Sequence, residues 1–274
     1  MVSNQGGYYS ACAYLSEGRR MGLTILPPDI NASDWVYRGS GKTVRVGLMQ
    51  ITSIQEDLVT RILTERQTNG LYRSMADFLD RVKPEIAQAT RLIKAGCFDS
   101  IAGELTRPAL LWRLFASQAT KTPGYLPTPP EYARPQQLTH ELALFGFPLS
   151  CHPLDLFEDV LARIPHILAR DLAQHVGDVV TVSGWLVTEK IISTKKAEPM
   201  EFLTLEDQTA LYDATIFPNS YRRYCHLLAT NQAYILTGLV EEQFSTVTLT
   251  VKELRLLAAL DVGVPFEPIE EVIG

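Results

Sequence analysis

Between Val179 and Leu256 five short runs rich in β-branched and aromatic residues follow one another: 179–187, Met200–Asp207, Ala210–Phe217, Ala233–Val240 and Thr246–Val251. Charged or turn-forming residues separate most of them, as successive strands require. One helical insert, Asn219–Leu228, interrupts the series between the third and fourth runs. No other stretch of the chain narrows the fold as much.

Five strands with one helix between the third and fourth is the plan of the OB-fold barrel, a common binder of single-stranded nucleic acid. At 274 residues and 46% hydrophobic, the chain has room for that barrel and a second domain. No apolar run approaches the ~20 residues that cross a bilayer. The opening residues, from Met1 to Gly7, lack a basic start and an apolar signal core. Cys12, Cys97, Cys151 and Cys225 form no Cys-x-x-Cys pair, and no histidine stands at ligand spacing. The expectation is a cytoplasmic protein with reduced thiols and no zinc site.

The formal net charge is −6, but the two halves differ. Residues 1–121 hold 15 Lys/Arg and 11 Asp/Glu; residues 122–274 hold 10 and 20. The barrel lies in the acidic half, so DNA binding there requires local basic clusters and stacking rather than an overall field.

Tyr8 to Gly22 reads as an amphipathic helix ending on Arg19 and Arg20, and Leu26-Pro27-Pro28-Asp29 breaks regular structure. Ile51, Ile54, Leu58, Ile62 and Leu63, then Met75, Phe78, Leu79 and Val82, then Leu92, Ile93, Ala95 and Phe98 keep helical spacing, with turns at Asn69-Gly70 and Gly96. Short helix pairs joined by tight turns suit a helix-hairpin-helix, in which N–H groups at the start of the second helix hold a DNA phosphate. They also suit a plain helical bundle. Pro123, Pro127, Pro129, Pro130 and Pro135 mark a stiff linker. The expected parts are residues 1–45, a helical domain 46–121, a linker 122–153, a helical connector 154–175, the barrel 176–257 and a tail 258–274. The fold class is α+β, an all-α helix-hairpin-helix domain followed by a five-stranded OB barrel.

Six segments in order resemble the C-terminal third of bacterial DNA polymerase III alpha subunits, the C-family polymerases. They are Gly18–Leu23 leading to Leu26–Asn31; Val44–Leu48 with Ile51; Asn69-Gly70 to Leu79; Leu92–Asp99; Gly146–Leu154; and Met200–Asp207 with Ile216-Phe217-Pro218. The resemblance implies that 1–45 ends the polymerase fingers, that 46–121 is a tandem helix-hairpin-helix gripping duplex DNA, and that the barrel lies near single-stranded template. It also implies DNA replication as the setting and other replisome subunits as partners. Four positions depart from the family: Ser53 and Gln55 around Ile54 replace the glycines of Gly-hydrophobic-Gly, Cys151 replaces a glycine, and Glu141 replaces the glutamine that opens a sliding-clamp motif.

Nucleotidyl transfer needs metal ions held by clustered carboxylates. The sequence has no Asp-x-Asp pair; Glu206 and Asp207 are adjacent and read as flanking a turn. Gly39-Ser40-Gly41-Lys42-Thr43 lacks the full P-loop spacing and reads as a turn before the strand-like Thr43–Val46. The family's catalytic aspartates and Mg2+ belong to an upstream palm domain, so this stretch alone is expected not to polymerise and to carry no cofactor.

For duplex contact the residues to consider are Arg91, Lys94, the backbone of Ala95, Gly96 and Cys97, and the helix arginines Arg61 and Arg66. For single-strand contact they are Lys195 and Lys196 between the first two barrel strands, Phe202, and Arg222 and Arg223 on the insert helix. Trp185, Tyr212 and Phe217 are further aromatics for stacking or for the core. Leu142, Leu144 and Phe145 form the clamp-like peptide, which also reads as an ordinary packed helix. A competing reading is a stand-alone adaptor whose acidic barrel binds protein.

Overall fold

The computed structural model describes residues 11–117, 128–243 and 246–260. The chain forms two compact units that divide between Cys151 and His152.

In the first unit, α1 (Ala11–Arg20) leads into a three-stranded sheet of β1 (Thr24–Leu26), β2 (Arg38–Ser40) and β3 (Thr43–Arg45), with β3 in the middle. The strand-like reading of Thr43–Val46 matches β3, and β1 and β2 add two strands in the stretch ahead of the helical domain. A 3-10 turn at Leu48–Gln50 is followed by α2 (Glu56–Asn69), α3 (Met75–Val82), α4 (Ile86–Lys94), α5 (Arg107–Ala116) and α6 (Arg134–Phe145). Ile51 and Ile54 precede α2 rather than belonging to it. They lie in the turn that introduces it. Tyr72, Phe78 and Phe98 stack edge to face at the centre of this core, at 5.2 and 5.0 Å between centroids.

The Pro-Pro-Asp segment is a polar hub. Asp29 accepts from the N–H groups of Asn31 and Ala32, Ser33 donates to the Val46 carbonyl, and Asn31 exchanges two bonds with the Tyr72 backbone. It thereby joins the sheet to the helices.

The proline-rich linker is corrected in part. Pro123 and Pro127 lie outside the described residues, but residues 134–145 form a helix. Pro135 sits in its first turn, where no N–H is needed. Tyr8 and residues 261–274 also lie outside the described residues, as does the side chain of Cys12.

In the second unit, short turns of helix, including α7 (Glu158–Leu161), precede a closed barrel. Its strands are β4 (Val179–Ser193), β5 (Pro199–Glu206), β6 (Leu211–Ile216), β7 (Ala233–Gln243) and β8 (Thr246–Leu256). The helix α8 (Pro218–Tyr224) lies between β6 and β7, and α9 (Leu257–Leu260) follows β8. The order β4-β5-β6-β8-β7 is closed by β7 pairing back to β4, and β6 runs parallel to β8. Val182, Leu203, Leu205, Ala214, Ile216, Leu236, Leu249 and Val251 fill the interior. At Gly238 a Cβ would come within 2.3 Å of the Thr250 carbonyl oxygen, so the bulge between Thr237 and Gly238 needs a residue without a side chain.

Glu206 and Asp207 do flank the β5–β6 turn, but both are buried, contrary to the exposed position expected for strand-end carboxylates. Asp207 accepts from the Thr209 and Ala210 N–H groups, the Thr209 hydroxyl and the Ala169 N–H, all within 2.9 Å. Asp207→Ala leaves these buried donors without an acceptor and should cost about 3 kcal/mol. Urea unfolding followed by circular dichroism measures it, with Asp207→Asn retaining part of the loss.

Candidate nucleic-acid interface

Among the described residues of the helical unit, two that are not glycine take the left-handed region in a turn ahead of a helix. Ser53 (φ 57°) precedes α2, and Lys83 (φ 48°) joins α3 to α4. Each turn joins two short helices, as a hairpin does. Ser53 takes the conformation that glycine would adopt at less cost. The Gly96 turn read from the sequence follows α4; a further left-handed turn, Lys83-Pro84-Glu85, precedes it. Its signal was Pro84, which ends one helix and opens the next.

The hairpins differ in what their backbone can hold. At the first, Gln88 on α4 accepts from the Gln55 N–H at 3.3 Å and donates to the Ser53 carbonyl at 3.1 Å. The first turn of α2 also carries Glu56 and Asp57, which repel a phosphate. At the second, no acidic side chain follows the N-cap Glu85 in the first turn of α4, and no side chain caps that turn, whose Gln88 N–H donates to the Glu85 carbonyl. Lys83 is exposed beside it. Ala87, Arg91 and Lys94 recur at i, i+4 and i+7, so two cations line the face above that turn. Burial and then the charges of Lys94 and Arg107 lower the pKa of His140, against an opposing effect of Glu131.

Gly96 has another task. It caps α4 with φ 81°, its N–H donating to Ile93 and that of Cys97 to Leu92. A Cβ here would meet the Arg107 guanidinium at 2.3 Å, where Arg107 pairs with Asp99. Ala95 and Cys97 are buried, and burial raises the Cys97 thiol pKa. All three lie buried in this turn. Arg66 turns inward, its guanidinium binding Asp34 at 3.1 Å and the Ile30 and Ser33 carbonyls. Arg61 is exposed on α2.

In the barrel, β4 runs six residues past the predicted end at Val187, so β4 and β5 form a long ribbon. Lys195 and Lys196 lie exposed at its tip, where the Thr194 hydroxyl accepts from the Lys196 and Glu198 N–H groups. Phe202 is 43% exposed and pairs across the strands with Lys190 and Thr215. Phe217, at the start of α8, is also exposed. Trp185 and Tyr212 are buried, the latter donating to the Ser183 carbonyl, and so drop out as stacking residues. Arg222 is tied to Glu198 beside the ribbon tip, and Arg223 lies 5.3 Å from the Tyr224 ring centre.

Residues 22–109 match a family described as a helix-hairpin-helix motif, and residues 180–257 match an OB-fold nucleic acid binding domain. A DNA polymerase III subunit alpha of Saccharopolyspora erythraea is 28% identical over 91% of this chain and 24% of its own length. Error-prone DNA polymerases of Symbiobacterium thermophilum (27% identical; 94% of this chain, 29% of that protein) and Nocardia farcinica (30%; 92% and 23%) align similarly. The chain is homologous to the C-terminal region of these polymerases. It spans about a quarter of their length. Among solved structures, the second OB-fold domain of replication protein A from Methanococcus maripaludis aligns with 34% of the chain and 91% of its own at 15% identity, with a TM-score of 0.24.

Against the C-family pattern, the clamp-like peptide is folded away. Leu144 and Phe145 are buried, and their carbonyls accept from Thr52 and Gln50 beside the first hairpin. Leu142 is half-buried. Glu141, at the glutamine position of the motif, accepts from the Leu149 and Ser150 N–H groups at 2.6 and 2.9 Å, bracing the Gly146–Leu154 segment. As a short exposed peptide, Leu142, Leu144 and Phe145 are not presented.

Inside the barrel mouth, burial and then the nearby Glu189 raise the pKa of Glu201 to about 7. A raised carboxyl pKa means the folded chain holds the proton longer than the unfolded one. Stability should therefore decline as pH rises from about 4.5 to about 7 and level off above. Glu201→Gln should flatten that decline and leave the barrel more stable at pH 8, as thermal melts across this range would show.

Proposed function

We propose that this chain is a noncatalytic DNA-holding part of a C-family polymerase, the helical unit gripping duplex backbone and the barrel carrying single-stranded template. The observation that carries the proposal is the join of two hairpins and a closed barrel in one chain that aligns to DNA polymerases over nine-tenths of its length. At the second hairpin the N–H groups at the start of α4 would hold a phosphate, with Lys83, Arg91 and Lys94 supplying charge and Arg61 lying further out. On the barrel, Phe202 offers a stacking surface and Lys190, Lys195 and Lys196 follow the strand, with Arg222 and Arg223 at its edge. Bond formation and its Mg2+ would reside on the palm, since this stretch has no Asp-x-Asp pair. Replication in the cytoplasm is the setting that follows, with other replisome subunits as partners. Clamp binding through residues 141–145 would require α6 to leave its core.

A second reading, a protein-binding adaptor, draws on the acidity of residues 122–274. Fluorescence anisotropy separates the two. Binding of primer-template DNA supports the first reading, and no binding at low salt supports the second. Phe202→Ala should cost about 1–3 kcal/mol of single-strand affinity. Replacing Lys195 and Lys196 with Ala should reduce the single-strand salt slope by about 1.4. Neither change should affect duplex binding, which Lys83→Ala should weaken.

A further inference from the structure

The small sheet ahead of the first hairpin has one face turned to the core and one turned to water. Ile25 packs on the helical core. Val44 pairs with it in register and shares its face. The other face carries Thr24, Arg38, Ser40, Thr43 and Arg45, with the half-buried Leu26 beside Arg45, since Arg38 pairs directly with Arg45 and Ser40 with Thr43. Lys42 stands exposed at the hairpin tip between β2 and β3. Between Asp34 and Glu56 the chain has these three basic residues and no acidic one.

Like charges directly opposite one another on two strands are destabilising. The fold gives the pair only slight relief. Asp34 lies 3.0 Å from Arg38, but it also neutralises Arg66 at 3.1 Å, so one carboxylate serves two guanidinium groups. Arg45 donates to the Pro27 carbonyl, which carries no charge to set against it. The Thr43 hydroxyl donates to the Ser40 carbonyl and can still accept; the side chain of Arg38 is 69% exposed. Arginines beside small hydroxyls on a rigid, half-exposed surface are the groups that hold sugar-phosphate backbone without reading sequence. From Arg45 the chain passes directly into the 3-10 turn and Ser53 of the first hairpin, whose own backbone is clasped by Gln88.

We propose that the face bearing Arg38, Ser40, Thr43 and Arg45, with Lys42 at its tip, is a further contact for the phosphate backbone of duplex DNA. It supplies, beside the first hairpin, the charge that the acidic start of α2 lacks. The inference rests on the reading that the helical unit grips duplex.

The test uses the full chain and a fluorescein-labelled duplex, with a single strand of the same length as the second arm, titrated across a range of salt. Arg38→Gln with Lys42→Gln changes two exposed side chains and leaves Arg45 bonded to Pro27. Adding Arg45→Gln completes the set, and thermal melts report whether each variant is folded. Each phosphate contact contributes about 0.9 to the log–log salt slope on duplex. The slope should fall by about 1.8 in the double variant and about 2.7 in the triple, with duplex affinity down about tenfold and single-strand affinity unchanged. If both folded variants keep the parental duplex affinity and slope while Lys83→Ala loses affinity, the sheet contact is overturned and the hairpin reading stands. If the unaltered chain fails to bind duplex even at low salt, the reading beneath the inference fails, and the inference with it.

Discussion

Main-chain N–H groups can hold a phosphate only where the fold has no other acceptor for them, and the helical unit depends on that constraint. At the C-terminus of α4 the N–H groups around Gly96 close the helix, and at the first hairpin the side chain of Gln88 takes the Gln55 N–H. At the second turn Pro84 has no N–H to place, and the start of α4, like that of α2, has no capping side chain. Glycine content is therefore a poor guide to which turn keeps its N–H groups for a ligand. Ser53 and Lys83 adopt the left-handed conformation without being glycine, whereas Gly96 adopts it for a C-cap beneath Arg107. A buried donor must be paired and an exposed helix start need not be, and that difference sets the two hairpins apart.

The barrel was legible in the sequence because alternation and turn residues are local signals. All five strand cores fall on the expected runs, and the insert helix lies between the third and fourth strands. The extension of β4 to Ser193 was not legible. Residues 188–192, Thr-Glu-Lys-Ile-Ile, have no strict alternation, and their strand state comes from pairing with β5. The face of each aromatic was hidden for a related reason. Trp185 and Phe202 are both strand aromatics, and only the register shows that one is covered and the other exposed. A one-residue change in register would exchange them.

In the helical unit, spacing indicated helices but not which turn joined which pair. Arg66 and Phe145 show the limit most clearly. Arg66 looks like an exposed helix cation until the loop at Ile30–Asp34 folds against it from 32 residues away and takes its donors. Phe145 ends an apolar pentapeptide whose shape suits a docking motif, but its neighbours include Gln50 and Thr52 from the first hairpin. Both outcomes depend on contacts between residues distant in sequence, which no local pattern encodes. Glu141 is similar. Its carboxylate takes two N–H groups of the following turn, which lie eight and nine residues away.

A net negative chain that handles a polyanion must separate its charges by position rather than by amount. Several carboxylates of the acidic half are turned inward: Asp207 into its turn, Glu206 beside His152, and Glu201 into the barrel mouth. Buried carboxylates held by hydrogen bonds, or protonated, project less field into solvent than exposed ones. The cations, by contrast, stand at the ribbon tip, along α4 and on the outer face of the small sheet. Because exposed charges are screened beyond about 8–10 Å in physiological salt, a DNA strand lying on one of these surfaces feels the lysines and arginines within reach and little of the formal total. Local placement thus allows an acidic domain to meet DNA, and it favours contacts that are many, weak and dependent on salt over one deep site.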